Sequence, residues 1–327
     1  MKLQLSKMNA RTVLLALMAI VFACTTAVWA QSQVQKLLPP SKPAPQQQKS
    51  FATPQLAAQA LISAAEKFDV PALLEIFGPE GKDLVASADA VRDRDLAQRF
   101  VDKAHEKNAV TVRKARAVLV IGKEDWPMPI PIVKKRGKWY FDTKAGKREI
   151  LFRRIGSNEL DAIRICRGFV EAQKEYASAT HDDSGIHQYA QRIISSPGRQ
   201  DGLFWNNPDG SAGGPISKPI AKAIQEGYST TGGPSPYHGY VFKVLKGQGP
   251  AAPLGQMDFV VKGAMIGGFA LVATPADYRV TGVKTFMVSH DGIVYEKDLG
   301  PNSLKLVKAM ERYNPDKGWR VTNDEEQ

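Results

Sequence analysis

The chain has 327 residues, 44 basic against 33 acidic for a net charge of +11, with 43% hydrophobic and 24% charged residues, which excludes a collagen-like or wholly disordered polymer. Six of the basic residues and none of the acidic ones lie in the first 50, so residues 51–327 carry 38 basic against 33 acidic; this mild, mixed surplus excludes a nucleic-acid-binding stripe. The two cysteines are Cys24 and Cys166, so a mature chain that loses the first has no intramolecular disulfide.

Residues 1–30 read as an export signal. Lys2, Lys7 and Arg11 precede an apolar core at 12–24, too short to span a bilayer, and Val28-Trp29-Ala30 places a small residue at a cleavage position, so the mature chain begins at Gln31. A rival reading puts a lipid anchor on Cys24, although bulky Phe22 stands where a small residue is wanted. No later stretch has the uncharged apolar run of a membrane helix, which points to an exported protein of the periplasm with no transmembrane segment in its mature form. Residues 31–50, rich in Gln, Pro, Ser and Lys, form a linker with almost nothing to bury and are expected to be disordered.

A first domain is expected over 51–156. Thr53-Pro54 caps a helix carrying Ala57, Leu61, Ala64 and Phe68 at helical spacing, and Asp69 caps a second that Gly78-Pro79 stops. A third helix over 89–106 turns Val91, Leu96, Phe100, Val101 and Ala104 inward. One strand is expected over 110–121. Prolines 127, 129 and 131 then confine 126–133 to a sheet edge or an extended arm, because proline cannot donate to a ladder. Lys134-Lys135-Arg136-Gly137 turns the chain into a strand at Trp139-Tyr140-Phe141, and a helix from 142 or 143 is expected to break at Gly156.

The second domain, 157–327, opens on a helix over 158–177, with Asn158 and Asp161 resembling a capping box. Its apolar stripes, Ile163, Cys166 and Val170 beside Ala162, Phe169 and Tyr176, cover more than half its circumference, so other elements wrap it. Cys166 on this apolar side reads as a small core residue, and Asp161–Arg164 is spaced for an ion pair. Short helices are expected at 185–194 and 216–226 amid Gly- and Pro-rich loops. Strands follow at 237–245, 257–261, 269–273, 283–288 and 293–297, the last two joined by Asp291-Gly292, and a helix at 301–313 closes the chain. Helices followed by antiparallel strands in each half define an α+β protein: a helical first half with a small sheet, then a long central helix packed on a C-terminal antiparallel sheet.

The segments FATPQLAAQAL, WPMPIPIV, FDTKAG, RRIGSNELDAI, SSPGRQDGLFW, YHGYVFKVLKGQG, IGGFALVATPADY and TGVKTFMVSHDGIVYEKDLG resemble, in order, the exported bacterial proteins of the domain of unknown function 2950 family. That resemblance covers residues 51 to about 319 and implies no catalytic or binding residue. The order from NELDAIRICRGFVEAQKEYA through GYVFKVL to the final hairpin is also similar to type IV pilin and pseudopilin headpieces, which implies a helix laid across an antiparallel sheet. Where a pilin has a hydrophobic assembly helix, this chain has the charged KAGKREILFRRIG, which argues against polymerisation.

The chain has no Walker loop, nucleophile elbow, HExxH or CxxC, and no cofactor is expected. His181, Asp182, Asp183 and His187 form a weak candidate metal cluster whose spacing matches no standard site and which reads first as a turn. Phe204, Trp205, Tyr237, His238 and Tyr240 are the candidate binding residues, a set of rings suited to sugars or peptides, against the plainer reading of core aromatics. A non-enzymatic module that binds or scaffolds an envelope protein or cell-wall component is the expected function. The alternative is a periplasmic hydrolase of wall or glycan material, with His238 working beside Asp201 or Asp298.

Overall fold

A computed structural model describes residues 47–86, 90–217 and 238–323. The expected export signal, the expected linker up to residue 46, most of the helix expected at 216–226, and Tyr237 lie outside the described residues. The chain divides into two compact units, one ending at Thr143 and the other beginning at Lys144.

In the first unit, α1 (Pro54–Glu66) starts where the Thr53 side chain accepts from the Leu56 N–H, and α2 (Val70–Phe77) where Asp69 accepts from Ala72. Gly78, at φ +72°, ends α2. α3 (Lys82–Val85) and α4 (Ala90–Glu106) follow. The sheet comprises β1 (Asn108–Arg113), β2 (Arg116–Ile121), β3 (Trp126–Pro127), β4 (Ile132–Lys135) and β5 (Lys138–Phe141), in the order β1-β2-β4-β5 with β3 also paired to β2. Leu61, Ile76, Leu119, Ile132 and Phe141 share its core.

Four expectations are corrected here. The strand expected over 110–121 is a hairpin, because Lys114 takes φ +55° and reverses the chain between Arg113 and Arg116. The prolines stay outside β4, which is an internal strand, and only Pro127 enters the sheet, in the two-residue β3. Val91 and Leu96 on α4 are exposed, and Val101 and Ala104 alone of its expected inner face are buried. The end of the linker is held: the Gln48 side-chain amide donates to the carbonyls of Ile76 (3.0 Å) and Phe141 (2.7 Å), while the Lys49 N–H donates to Glu75.

The second unit is built on α5 (Thr143–Tyr176), one continuous helix of 34 residues. Gly156 does not break it. A glycine inside a helix costs about 1 kcal/mol, and the burial of Ile155 and Ala162 on either side outweighs that. Asn158 is therefore no cap; its side chain donates to the Thr281 carbonyl at 2.8 Å.

After α5 come β6 (Arg192–Ile194), β7 (Gly202–Asn206) and β8 (Ala212–Gly213), a small sheet in which β6 and β7 run parallel. β6 takes the place of the short helix expected at 185–194. β9 (Tyr240–Leu245) is followed by two short ribbons, β10 (Gly247–Gln248) with β11 (Met257–Asp258) and β12 (Val260–Val261) with β13 (Ala264–Met265). β14 (Ala270–Pro275), β15 (Thr285–Ser289), β16 (Val294–Lys297), α6 (Ser303–Ala309) and β17 (Arg320–Val321) complete the chain. The main sheet is antiparallel throughout, in the order β17-β16-β15-β14-β9. Asp291-Gly292 closes the β15–β16 hairpin as its sequence requires, with Gly292 at φ +76°.

Every residue of β14 and β15 is buried, so both faces of the sheet are covered. Ala162, Cys166, Phe169 and Val170 of α5 share one core with Phe242, Leu271, Phe286 and Val288, and Val307 of α6 joins the same core with Tyr313 and Trp319. The protein is α+β, with the long central helix packed on the C-terminal antiparallel sheet. No helix of the described residues is long and apolar enough to cross a membrane.

Candidate functional site

The end of α5 organises a polar cleft. Gln173 is fully buried one turn before the helix ends, and its amide holds Ala190 twice: Nε2 donates to the Ala190 carbonyl and Oε1 accepts the Ala190 N–H, both at 2.8 Å. This clamp returns the loop after α5 to the helix that launched it. Two further bonds fix the loop's far end, from the Tyr189 N–H to the Met265 carbonyl (2.8 Å) and from the Gln191 amide to the Gly263 carbonyl (2.6 Å).

The opposite wall is the loop between β6 and β7. Ser196-Pro197-Gly198-Arg199 makes a turn in which the Arg199 N–H donates to the Ser196 carbonyl and Gly198 adopts φ +73°. Asp201 closes the loop by accepting from the Ser196 N–H (2.7 Å) and hydroxyl (2.9 Å), with Arg192 at 3.7 Å. Gly202 follows because its backbone runs against Ile194 and Ser195; an ideal Cβ there meets the Ser195 nitrogen at 2.6 Å.

The floor is aromatic. The His181 ring stacks on Tyr176 with centroids 3.8 Å apart and meets Trp205 edge-on at 5.4 Å. The Tyr176 hydroxyl donates to the Gln200 carbonyl, and burial, with the carboxylates of Asp201 and Asp182 adding to it, pushes its pKa up to about 12; it stays a donor at any physiological pH.

These walls enclose a cleft of about 670 Å3, within the range that small-molecule sites occupy. Its carboxylates and cations are not equally engaged. Asp182 accepts from the Ser184 hydroxyl and N–H and from Gln188, and those bonds hold its carboxyl below the usual range. Arg199 and Lys246, by contrast, line the cleft with no ion-pair partner among the described residues.

A second cleft, of about 520 Å3, lies along the other side of α5, walled by Ile165, Phe169, Leu203 and Ile216. Asp161 and His238 meet at its lip: His238 Nδ1 contacts one carboxylate oxygen of Asp161, and Arg164 reaches the other at 3.1 Å, the pairing that the helical spacing predicts. His238 is held at φ +47°, a conformation unusual for a residue with a side chain. Gly239 beside it has no room for one, since an ideal Cβ falls 2.6 Å from the Thr281 Cβ. Glu159, one turn before Ile163 on α5, accepts from the N–H groups of Val283 (2.8 Å) and Lys284 (3.0 Å), tying the helix to the chain just before β15.

The residues singled out in the sequence fall in several places. His181, Asp182 and Asp183 line the polar cleft; His187 Nδ1 donates to the Ala177 carbonyl (2.9 Å). Both ring nitrogens of His181 are engaged, Nε2 with the Tyr176 carbonyl and Nδ1 with Gln200, and among the described residues no group of three or more such side chains is placed to hold a metal. Trp205 is half-buried beneath His181, with its indole N–H donated to Asn207. Phe204 and Tyr240 are not surface residues: both are buried in the core, and the Tyr240 hydroxyl donates to the Lys284 carbonyl at 2.7 Å. His238 pairs with neither Asp201 nor Asp298; Asp201 braces Ser196, and Asp298 accepts from Tyr278 and the Gly300 N–H. Nothing in the local sequence marks Tyr189, Arg192, Arg199 and Lys246; only the tertiary fold brings them together.

The model of a family described as "Protein of unknown function (DUF2950)" matches residues 48–322. No curated protein and no solved structure matches the chain, and the likeness to pilin headpieces is not confirmed.

Proposed function

The chain belongs to the DUF2950 family of unknown function, and from the geometry of its second unit we propose that it is an exported, non-enzymatic binding module that holds a cell-wall or other envelope component in the cleft at the end of α5. Export is supported by the basic start, the apolar stretch at 12–24 and the small residue at Ala30. One observation carries the binding reading. Gln173 behind the cleft and Asp182 and Asp201 in its lining are committed to holding the walls, while Asp183, Arg199, Lys246 and the half-buried Tyr189 ring face the space they enclose. Walls set in advance of the ligand are what a recognition site needs, because little ordering remains to be done on binding.

A second reading, hydrolysis of wall or glycan material, is favoured by the His238–Asp161 contact at the lip of the second cleft, the arrangement of a general base and its orienting carboxylate. Sedimentation with insoluble cell wall separates the two. The binding module co-sediments, and Tyr189→Ala with His181→Ala releases it without lowering the melting temperature by more than a few degrees. Release of soluble wall fragments by the purified protein, abolished in His238→Ala, refutes the binding reading, as does wild-type protein that stays in the supernatant.

A further inference from the structure

We infer that the ligand of the polar cleft is an anionic sugar chain, one that carries carboxylate or phosphate groups among its hydroxyls. The inference rests on the binding reading above and goes further than it, by deriving the ligand's charge and character from the way the cleft distributes its own.

Three cations and three carboxylates line this space. The negative side is largely answered from within the protein. Asp182 takes three donors, from the Ser184 N–H, the Ser184 hydroxyl and the Gln188 amide, and Asp201 takes the Ser196 N–H and hydroxyl with Arg192 nearby. A carboxylate so surrounded has few lone pairs left for a ligand. The positive side is answered only once, by the Arg192–Asp201 pair at 3.7 Å. Arg199 sits at the end of the tight turn after Gly198, and Lys246 lies between β9 and β10, where its carbonyl accepts from Phe259; neither side chain has a partner among the described residues. Their backbones are pinned on both sides of the cleft and their charges are open, which selects a ligand that brings the opposite charge.

The rest of the lining sets the remainder of the ligand. Gln191, beyond its bond to the Gly263 carbonyl, and Gln200, beyond its contact with His181, offer the remainder of their amide groups, Asp183 a carboxylate with no internal donor among the described residues, and Tyr189 a ring that is held edge-on against Phe269 at 4.8 Å. Hydroxyl groups satisfy the amides and the carboxylate, and the C–H face of a sugar ring packs on an aromatic face. A bare anion does not use these groups, and an acidic peptide has no array of hydroxyls to match them.

Calorimetric titration of the purified protein at low salt tests this with four probes: trigalacturonate, a phosphorylated maltotriose, maltotriose and pentaglutamate. At least one of the two anionic polyhydroxyl probes binds, and which one does distinguishes a carboxylate from a phosphate source. Maltotriose and pentaglutamate bind about tenfold or more weakly, and Arg199→Gln and Lys246→Gln each weaken the anionic probe by about tenfold, the loss expected for one charge-assisted contact. Both side chains are exposed, so the melting temperature stays unchanged. The inference is overturned if maltotriose or pentaglutamate binds as tightly, if neither anionic probe binds, or if both substitutions leave the affinity intact. Wall sedimentation that survives both substitutions overturns the inference and leaves the binding module standing; a wild-type protein that never sediments removes both.

Discussion

Replacing Gln173 by Leu removes the clamp at the end of α5 while nearly conserving volume. Ala190, fully buried, then loses the partners of both its N–H and its carbonyl, which Gln173 holds at 2.8 Å each. Each of the two unsatisfied buried backbone groups costs about 1–3 kcal/mol, and burying the apolar Leu side chain returns about 1 kcal/mol, so the net loss is about 1–5 kcal/mol. For an unfolding unit of this size that lowers the melting temperature by roughly 2–20 °C. Thermal and denaturant melts measure the loss, and amide exchange locates it, since the Ala190 N–H becomes the first of the loop to exchange. Ligand affinity falls as well, because the clamp positions Tyr189 and Arg192. A loss below about 0.5 kcal/mol together with unchanged exchange at Ala190 refutes the reasoning, since the two bonds then contribute nothing that water does not replace.

Gly156→Ala stabilises the protein by about 0.5–1 kcal/mol in denaturant melts, because the position is helical and an added Cβ meets nothing within 4 Å. Gly202→Ala destabilises by about 1–3 kcal/mol, since its Cβ presses on the backbone of Ile194 and Ser195 and parts β6 from β7; unchanged stability there contradicts the packing described. Cys166→Asp unfolds the second unit, because it buries a carboxylate in the apolar core, and native Cys166 resists thiol reagents until the protein is denatured. Burial pushes the Cys166 thiol up to about 12, above its ordinary value of 9.0. A group whose folded pKa is raised gives stability that is complete below the unfolded pKa and lost as pH rises towards the folded one, so the wild type loses about 1.4 kcal/mol per pH unit between pH 9 and 12 that Cys166→Ala does not lose.

Local chemistry was legible wherever one short stretch decides the outcome. The Thr53 and Asp69 caps, the Gly78 stop, the Asp291-Gly292 hairpin and the inward face of Cys166 all follow from neighbours a few residues away, and the structure has each of them. Where local signals compete, the sequence misleads. Gly156, Ser157 and Asn158 read as a break, yet the helix runs through them because packing on both sides outweighs about 1 kcal/mol of glycine propensity. Lys114 turns a hairpin with no Gly or Asn to announce it, and Val91 and Leu96 have helical spacing but face outward.

The candidate site was the least legible part. Composition and periodicity established a basic start, an α+β chain and a helix apolar over most of its circumference, because those properties are carried by residues adjacent in sequence or one turn apart. They also marked aromatic residues as candidates, and could not tell Phe204 and Tyr240, which fill the core, from Tyr189, which faces the cleft; an aromatic ring has the same local signature in either place. Gln173 and Ala190, Tyr189 and Met265, Gln191 and Gly263, and His238 and Asp161 meet across 17 to 77 residues of chain. Such pairings depend on how α5 lies against its loops and sheet, which only the tertiary structure decides, since the energy that selects them is the burial of the whole core rather than any preference of the residues that touch.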